Sequence, residues 1–202
     1  MSDLASALND LAQADHDLLA AGPTPMPLPI GRLAPTVAGT VTALSKADWW
    51  VPGLRERVGA VLRGVPLDRL VDGMAGARPY KVAPPDASPA LRALSAVGLA
   101  LANPDRFAAV HLGIGSVGDG AFTEALNLAA LRQANVLFVV AVEPLGDDAP
   151  VGPQTAASPE GLAAAYGIPH TVVDGTDAAA VHAAVRAALD ASGPHLIAAR
   201  LG

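Results

Sequence analysis

The stretch from Arg106 to Val142 constrains this chain more than any other part of it. An apolar run, Phe107 to Leu112, leads into four glycines at positions 113, 115, 118 and 120. The next segment carries Phe122, Ala125, Leu126, Ala129 and Ala130 at the spacing of one helical face. A second apolar run, Val136 to Val140, is rich in β-branched residues. Strand, glycine-rich turn, helix and strand make a βαβ unit, whose strands run parallel and need cover on both faces. Ligands of such sheets sit beyond the carboxyl ends of the strands, which here are residues 113–120 and 142–148.

The same alternation continues downstream. Ser158-Pro159 opens a short helix that ends near Gly167, residues 170–173 read as a third strand, Asp177 caps a last helix, and residues 195–200 read as a fourth strand. Upstream, Ser88-Pro89 starts a helix to Asn103 that is apolar nearly all round, and such a helix needs burial on more than one side. Ser2 or Asp3 can cap a first helix with Leu4, Leu8, Leu11 and Leu18 on one face. A link with prolines at 23, 25, 27 and 29 follows it and forbids helix. Further helices are expected at 31–45, 54–63 and 67–74, with an irregular segment holding Trp49 and Trp50 between the first two. The predicted architecture is α/β, a mostly parallel sheet flanked by helices. It divides into an N-terminal helix (1–22), a helical and Pro-rich N-terminal region of the same domain (23–87), and a parallel α/β core (88–202).

Composition excludes several classes of function. A net charge of -6 offers nucleic acid and anionic membranes no electrostatic attraction. No apolar run approaches 18 residues, so no transmembrane helix is expected, and the acidic start of the chain is unlike a secretory signal. Without cysteine there is no disulfide or thiolate site. A cytoplasmic location is the expectation that fits these features. His16, His111, His170, His182 and His195 show no metal-ligand spacing, and His111 and His195 lie within apolar strands.

Gly113-Ile-Gly115-Ser-Val-Gly118 is a literal G-x-G-x-x-G after a strand, and Glu143 ends the next strand where a ribose-binding acid would stand. One reading is therefore a dinucleotide site. Against it, Asp119-Gly120 follow the third glycine, and a glycine in the first helical turn costs ~1 kcal/mol.

Three groups of residues carry a resemblance to a known family. They are Glu124-Ala-Leu-Asn-Leu-Ala-Ala130 with Asn135-Val-Leu-Phe-Val-Val140; Gln154-Thr-Ala with Ala163-Ala-Ala-Tyr-Gly-Ile-Pro169, Val173-Asp-Gly-Thr-Asp177 and Gly193-Pro-His-Leu-Ile197; and Ala47-Asp-Trp49 with Arg55 and Arg63-Gly-Val-Pro-Leu-Asp68. Together they cover residues 28 to 200, in order. The chain resembles the alpha subunit of the thiamine-diphosphate-dependent decarboxylase (dehydrogenase) component of 2-oxo acid dehydrogenase complexes. The resemblance implies the thiamine-diphosphate-binding fold, 2-oxo acid oxidative decarboxylation as the family activity, and work within assemblies.

In that family one strand runs into Gly-Asp-Gly and a second ends in Asn-Asn, and these motifs hold the Mg²⁺ that binds the cofactor's diphosphate. Aligned back from Glu124 without gaps, Gly-Asp-Gly falls on Gly113-Ile114-Gly115 and Asn-Asn on Val142-Glu143, with 26 residues, 116 through 141, between them. Mg²⁺ wants hard oxygen ligands, which Ile114 and Val142 lack. The family's Tyr-Arg pair becomes Leu54-Arg55, its Gln-Glu pair becomes Arg32-Leu33, and its basic loop ending in His shrinks to residues 77–81 without His. The expected site is thus degenerate: Gly113, Ile114, Gly115, Ser116, Val142, Glu143 and Arg55, with no catalytic residue, no metal and no cofactor. A fallback takes Gly118-Asp119-Gly120 as the motif, with Asp119 and Asp147 as ligands for Mg²⁺ and thiamine diphosphate. The expected function is that of a non-catalytic homologue acting through subunit association, as a homodimer or with a beta-type subunit. The alternatives are an active decarboxylase alpha subunit and a dinucleotide-binding protein.

Overall fold

Parallel strands with apolar residues on both faces must be covered twice, and the chain does so with helices on each side of one sheet. The computed structural model describes residues 2–22, 28–71, 78–84, 88–143 and 155–202. Among the described residues there are five strands: β1 (Trp49–Val51), β2 (Ala108–Gly113), β3 (Val136–Val142), β4 (His170–Asp174) and β5 (His195–Arg200). They stand in the order β1-β2-β3-β5-β4, and every pairing is parallel. The predicted βαβ unit is β2, α5 (Gly120–Arg132) and β3, paired from Ala108↔Val136 to Gly113↔Ala141. Strand alternation sorts the side chains. Ala109, Leu137, Val139 and Ile197 point to one face with α1 (Ser2–Ala21), α2 (Ala34–Ala43) and α7 (Ala178–Ala191). Val110, Leu112, Phe138, Val140 and Leu196 point to the other, under α4 (Pro89–Ala102), α5 and α6 (Pro159–Ala165).

Local signals place the helices. The Ser158 hydroxyl accepts from Gly161 N–H at the start of α6, and Asp177 accepts from Ala179 and Ala180 N–H at the start of α7. Pro89 takes the first position of α4. Asp3 lies in the first turn of α1. In α2, Gly39 lets α7 approach closely, since a Cβ there would sit 2.6 Å from the Ala178 carbonyl and 2.8 Å from Val181 Cβ. The helix expected over 54–63 is instead a 3-10 helix, Glu56–Arg63. The one expected over 67–74 is α3 (Leu67–Val71), and its remaining residues lie outside those described. Residues 23–27 of the proline-rich link also lie outside them.

The segment around the two tryptophans is not irregular, as expected, but an edge strand. Its three residues alternate between the faces, Trp50 on one and Trp49 and Val51 on the other. The lead-in is fixed by two buried charges. Asp48 accepts from Ser45 N–H and from Phe107 N–H, and Arg63 donates to the carbonyls of Ser45, Lys46, Asp48 and Tyr80. Three residues ahead of a proline hold too little periodicity to be read as strand, and only these distant partners select it. The strand expected at 170–173 is present as β4, which forms the opposite edge of the sheet with Val172 half exposed.

Candidate functional site

A cavity of about 280 Å³ opens beyond the carboxyl ends of β2 and β3, where the topology directs a ligand. Gly113, Gly115 and Ser116 form one wall, Ala141 and Glu143 another, and Leu28, Leu33, Leu54 and Pro89 close it with apolar surface. Arg55, Glu56 and Arg92 supply its remaining charge. Of the residues expected at the site, Gly113, Gly115, Ser116, Glu143 and Arg55 are thus brought together. Ile114 and Val142 are not among the lining residues; both are partly buried and pack against the core on the α4 and α5 side.

The turn after β2 differs from expectation. Residues Ile114–Ser116 form one 3-10 turn, and none of the glycines at 113, 115, 118 and 120 has a positive φ. Gly113 (φ -91°) has room for a Cβ. These glycines therefore do not shape the turn; at 113 and 115 they leave the cavity wall without side chains. Gly120 is the first residue of α5. Asp119 stands at its N-cap and accepts from Ala121 N–H at 2.8 Å. The fallback ligand is thereby used as a helix cap and is not among the cavity-lining residues. Asp147 and Asp148 lie outside the described residues.

Charge in the cavity is arranged in opposite pairs. Arg55 Nη1 lies 3.2 Å from both carboxylate oxygens of Glu143, across 88 residues of chain, and Arg55 Nε donates to Pro29 O. Both partners are about one-third exposed (35% and 37%), so the pair adds at most ~1 kcal/mol. Its importance is steric: it spans the gap between the 3-10 helix region and the end of β3. Deeper, Glu56 is 6% exposed and Arg92 5%. Both reach the bare α-carbon of Gly53, where a Cβ would come within 3 Å of each. Burial pushes the Glu56 carboxyl above its ordinary range; its own backbone N–H, Arg92 and Arg55 pull the other way. Arg92 Nη2 also donates to His111 O. Sequence reading missed Glu56 and Arg92, because a lone charge in a helical segment normally faces water. The usable signal was that Arg92 shares its helix face with Ala93 and Ala96, which turn inward.

The chemistry open to this donor set is limited. At the strand ends it offers one half-exposed carboxylate already paired with an arginine, one buried carboxyl, one buried serine and backbone groups. Among the described residues no group of three or more His, Cys, Asp or Glu is placed to hold a metal ion. At the two positions aligned with metal ligands, Ile114 and Val142 carry no oxygen in their side chains and pack into the core. The described residues at the strand ends do not fit Mg²⁺, which needs several hard oxygens in near-octahedral array.

Residues 31–198 match the family described as Dehydrogenase E1 component. The chain is similar to the 3-methyl-2-oxobutanoate dehydrogenase subunit alpha of Mycobacterium tuberculosis, 34% identical over 185 positions that cover 81% of this chain and 50% of that one. It is similar to the pyruvate dehydrogenase E1 component subunit alpha of Staphylococcus aureus, 30% identical over 196 positions, covering 83% and 51%. The chain thus spans about half the length of these curated relatives. A crystal structure of a candidate thiamin diphosphate-dependent enzyme from Mycobacterium smegmatis superposes with a TM-score of 0.59 at 19% identity, covering 82% of this chain and 31% of that one. That likeness shows the fold.

Proposed function

The chain belongs to the Dehydrogenase E1 component family, and from that premise we propose that it is an alpha-subunit-like member that does not itself hold thiamine diphosphate and acts in the cytoplasm by associating with another subunit. The observation that carries this reading is the strand-end chemistry. Ile114 and Val142 stand where oxygen ligands are needed, and the nearest carboxylate, Glu143, is occupied by Arg55. A diphosphate entering the cavity would meet the Glu143 charge with no metal to offset it. The rival reading, an active thiamine-diphosphate-dependent alpha subunit, draws on the family match and on the structural neighbour. It must find its ligands outside the strand ends.

Association draws on the exposed apolar surface. Leu91 and Leu101 of α4 are 46% and 39% exposed, and Leu131 at the end of α5 is 72% exposed. The small residues of α5 do not add to this surface, for Ala125 and Ala129 are fully buried within the chain. A single chain therefore covers part of the surface that first pointed to a partner, and Leu91, Leu101 and Leu131 are what it leaves open. The partner proposed for it is a second copy or a beta-type subunit, and the relatives matched are themselves named as alpha subunits.

Thermal unfolding with and without thiamine diphosphate and Mg²⁺ separates the readings. A ligand of the native state at a hundredfold its Kd stabilises by ~2.7 kcal/mol, which is several degrees for a chain of this size. The expected shift is none, up to millimolar cofactor. A reproducible, Mg²⁺-dependent rise of several degrees would establish the active reading instead. Light scattering on the same samples is expected to give a dimer, alone or with an added beta-type subunit.

A further inference from the structure

We propose that the cleft between β1, residues 78–84 and α4 binds a small organic anion: a carboxylate or phosphate monoester carried on an apolar acyl or aryl body. The cleft lies on the far side of Arg92 from the strand-end cavity and encloses about 990 Å³, the upper end of what small-molecule sites occupy. Trp49, Val51, Val82 and Leu99 give it an apolar lining. Arg78 and Lys81 give it charge, and among the described lining residues there is no carboxylate, although the whole chain is acidic with a net charge of -6. A concentration of positive charge against that background draws anions and repels cations.

The backbone prepares the same place. Trp50 N–H donates to Lys81 O, and Ala83 N–H donates to Trp50 O, so the chain at 81–83 lies along the outer edge of β1. In a parallel pairing of that pattern the N–H and C=O of the residue between, Val82, point away from the sheet. Lys81 adopts a left-handed conformation (φ 56°), which costs a non-glycine residue ~1 kcal/mol. That conformation accompanies an ammonium placed 5.0 Å from the centre of the Trp49 ring. Opposite, α4 presents Gly98, where an added Cβ would touch nothing within 4 Å. An anionic head group beside Arg78 and Lys81, with its apolar body over Trp49 and Leu99 and along Gly98, uses each of these features. Leu101 stands well around α4 from Leu99, whereas Leu91 shares a stripe with Ser95 and Gly98, so the cleft adjoins part of the proposed association surface.

The probe is 8-anilinonaphthalene-1-sulfonate, an aryl anion whose fluorescence rises on leaving water. Titration is expected to saturate at one site per chain. Charge reversal at both positions, Arg78→Glu with Lys81→Glu, is expected to weaken binding by about tenfold or more. Gly98→Leu, which the open space beside α4 accommodates, is expected to do the same by filling the cleft while leaving the unfolding transition in place. Octanoate and octyl phosphate should displace the probe, and their relative potency identifies the head group; octylammonium should not. Equal binding by the charge-reversed chain, displacement by octylammonium, or failure to saturate at one site would overturn the proposal. If charge reversal unsettles the fold, Gly98→Leu decides alone: unchanged probe affinity in that variant excludes the cleft.

Discussion

Replacing Trp50 by alanine is expected to lower the free energy of unfolding by about 3–5 kcal/mol, the range for a large aromatic removed from a core. Trp50 is fully buried on β1. Its ring meets His111 edge-on, with centroids 5.9 Å apart and planes at 84°. It also lies so close to the 3-10 helix that a Cβ on Gly59 would come 2.7 Å from Trp50 Cη2. No neighbour can move in without disturbing β1, the 3-10 helix and α2 together, so most of the vacated volume stays empty. For a domain of this size the loss corresponds to a fall in Tm on the order of 10 °C. Urea unfolding measures it directly, as a lower midpoint at an unchanged slope. Trp50→Phe should cost about half as much. A loss below ~1 kcal/mol for Trp50→Ala would mean that β1 is not part of the folded sheet.

Acid should destabilise the protein through His111. This residue is 2% exposed, its Nε2 has no partner, and burial, helped by the nearby Arg92 charge, pushes its pKa down from 6.5 to about 3. Above pH 6.5 the ring is neutral in both states and contributes no pH dependence. Below that value the unfolded chain takes up a proton that the folded chain refuses until about pH 3. Stability therefore falls with pH across that window, by ~1.4 kcal/mol per unit once well inside it, or ~2 kcal/mol at pH 5. Glu56 works in the opposite sense. Its raised pKa means that the folded carboxyl keeps a proton which the unfolded one has lost, so its burial costs least in acid. The clean measurement is a difference: urea midpoints at pH 7 and pH 5 for the native chain and for His111→Phe. The native chain should lose ~2 kcal/mol more than the variant over that interval. Equal losses would show that His111 does not titrate abnormally.

The residues behind the family resemblance turn out to hold the frame as much as the site. Asp48 and Arg63, within two of the recognised stretches, tie the entry of β1 to its neighbours through six hydrogen bonds (two to Asp48, four from Arg63). Asp177, in another, caps α7. Glycines 113 and 115 keep the family's spacing yet need no special backbone angle. Likeness of this kind follows the demands of the fold, which explains how it can stay strong while the aligned ligand positions carry Ile114 and Val142.

What the sequence determined by itself is what period and end chemistry can encode. The largely apolar runs at 108–113, 136–142 and 195–200 can be satisfied only by burial on both faces. The signals at Ser158, Pro89 and Asp177 act within one turn of chain, so the parallel sheet, its crossover helices and the loops that bear the cavity were all legible. Only the tertiary structure decided the rest, because the forces involved act between residues far apart in the chain. β1 is a strand because Asp48, Arg63 and the edge of β2 hold it. Asp119 is a cap because α5 begins directly after it, at Gly120. Arg55 closes on Glu143 across 88 residues. The buried meeting of Glu56, Arg92 and Gly53 has no local signature, since whether a charge faces water or a cavity depends on what packs against it.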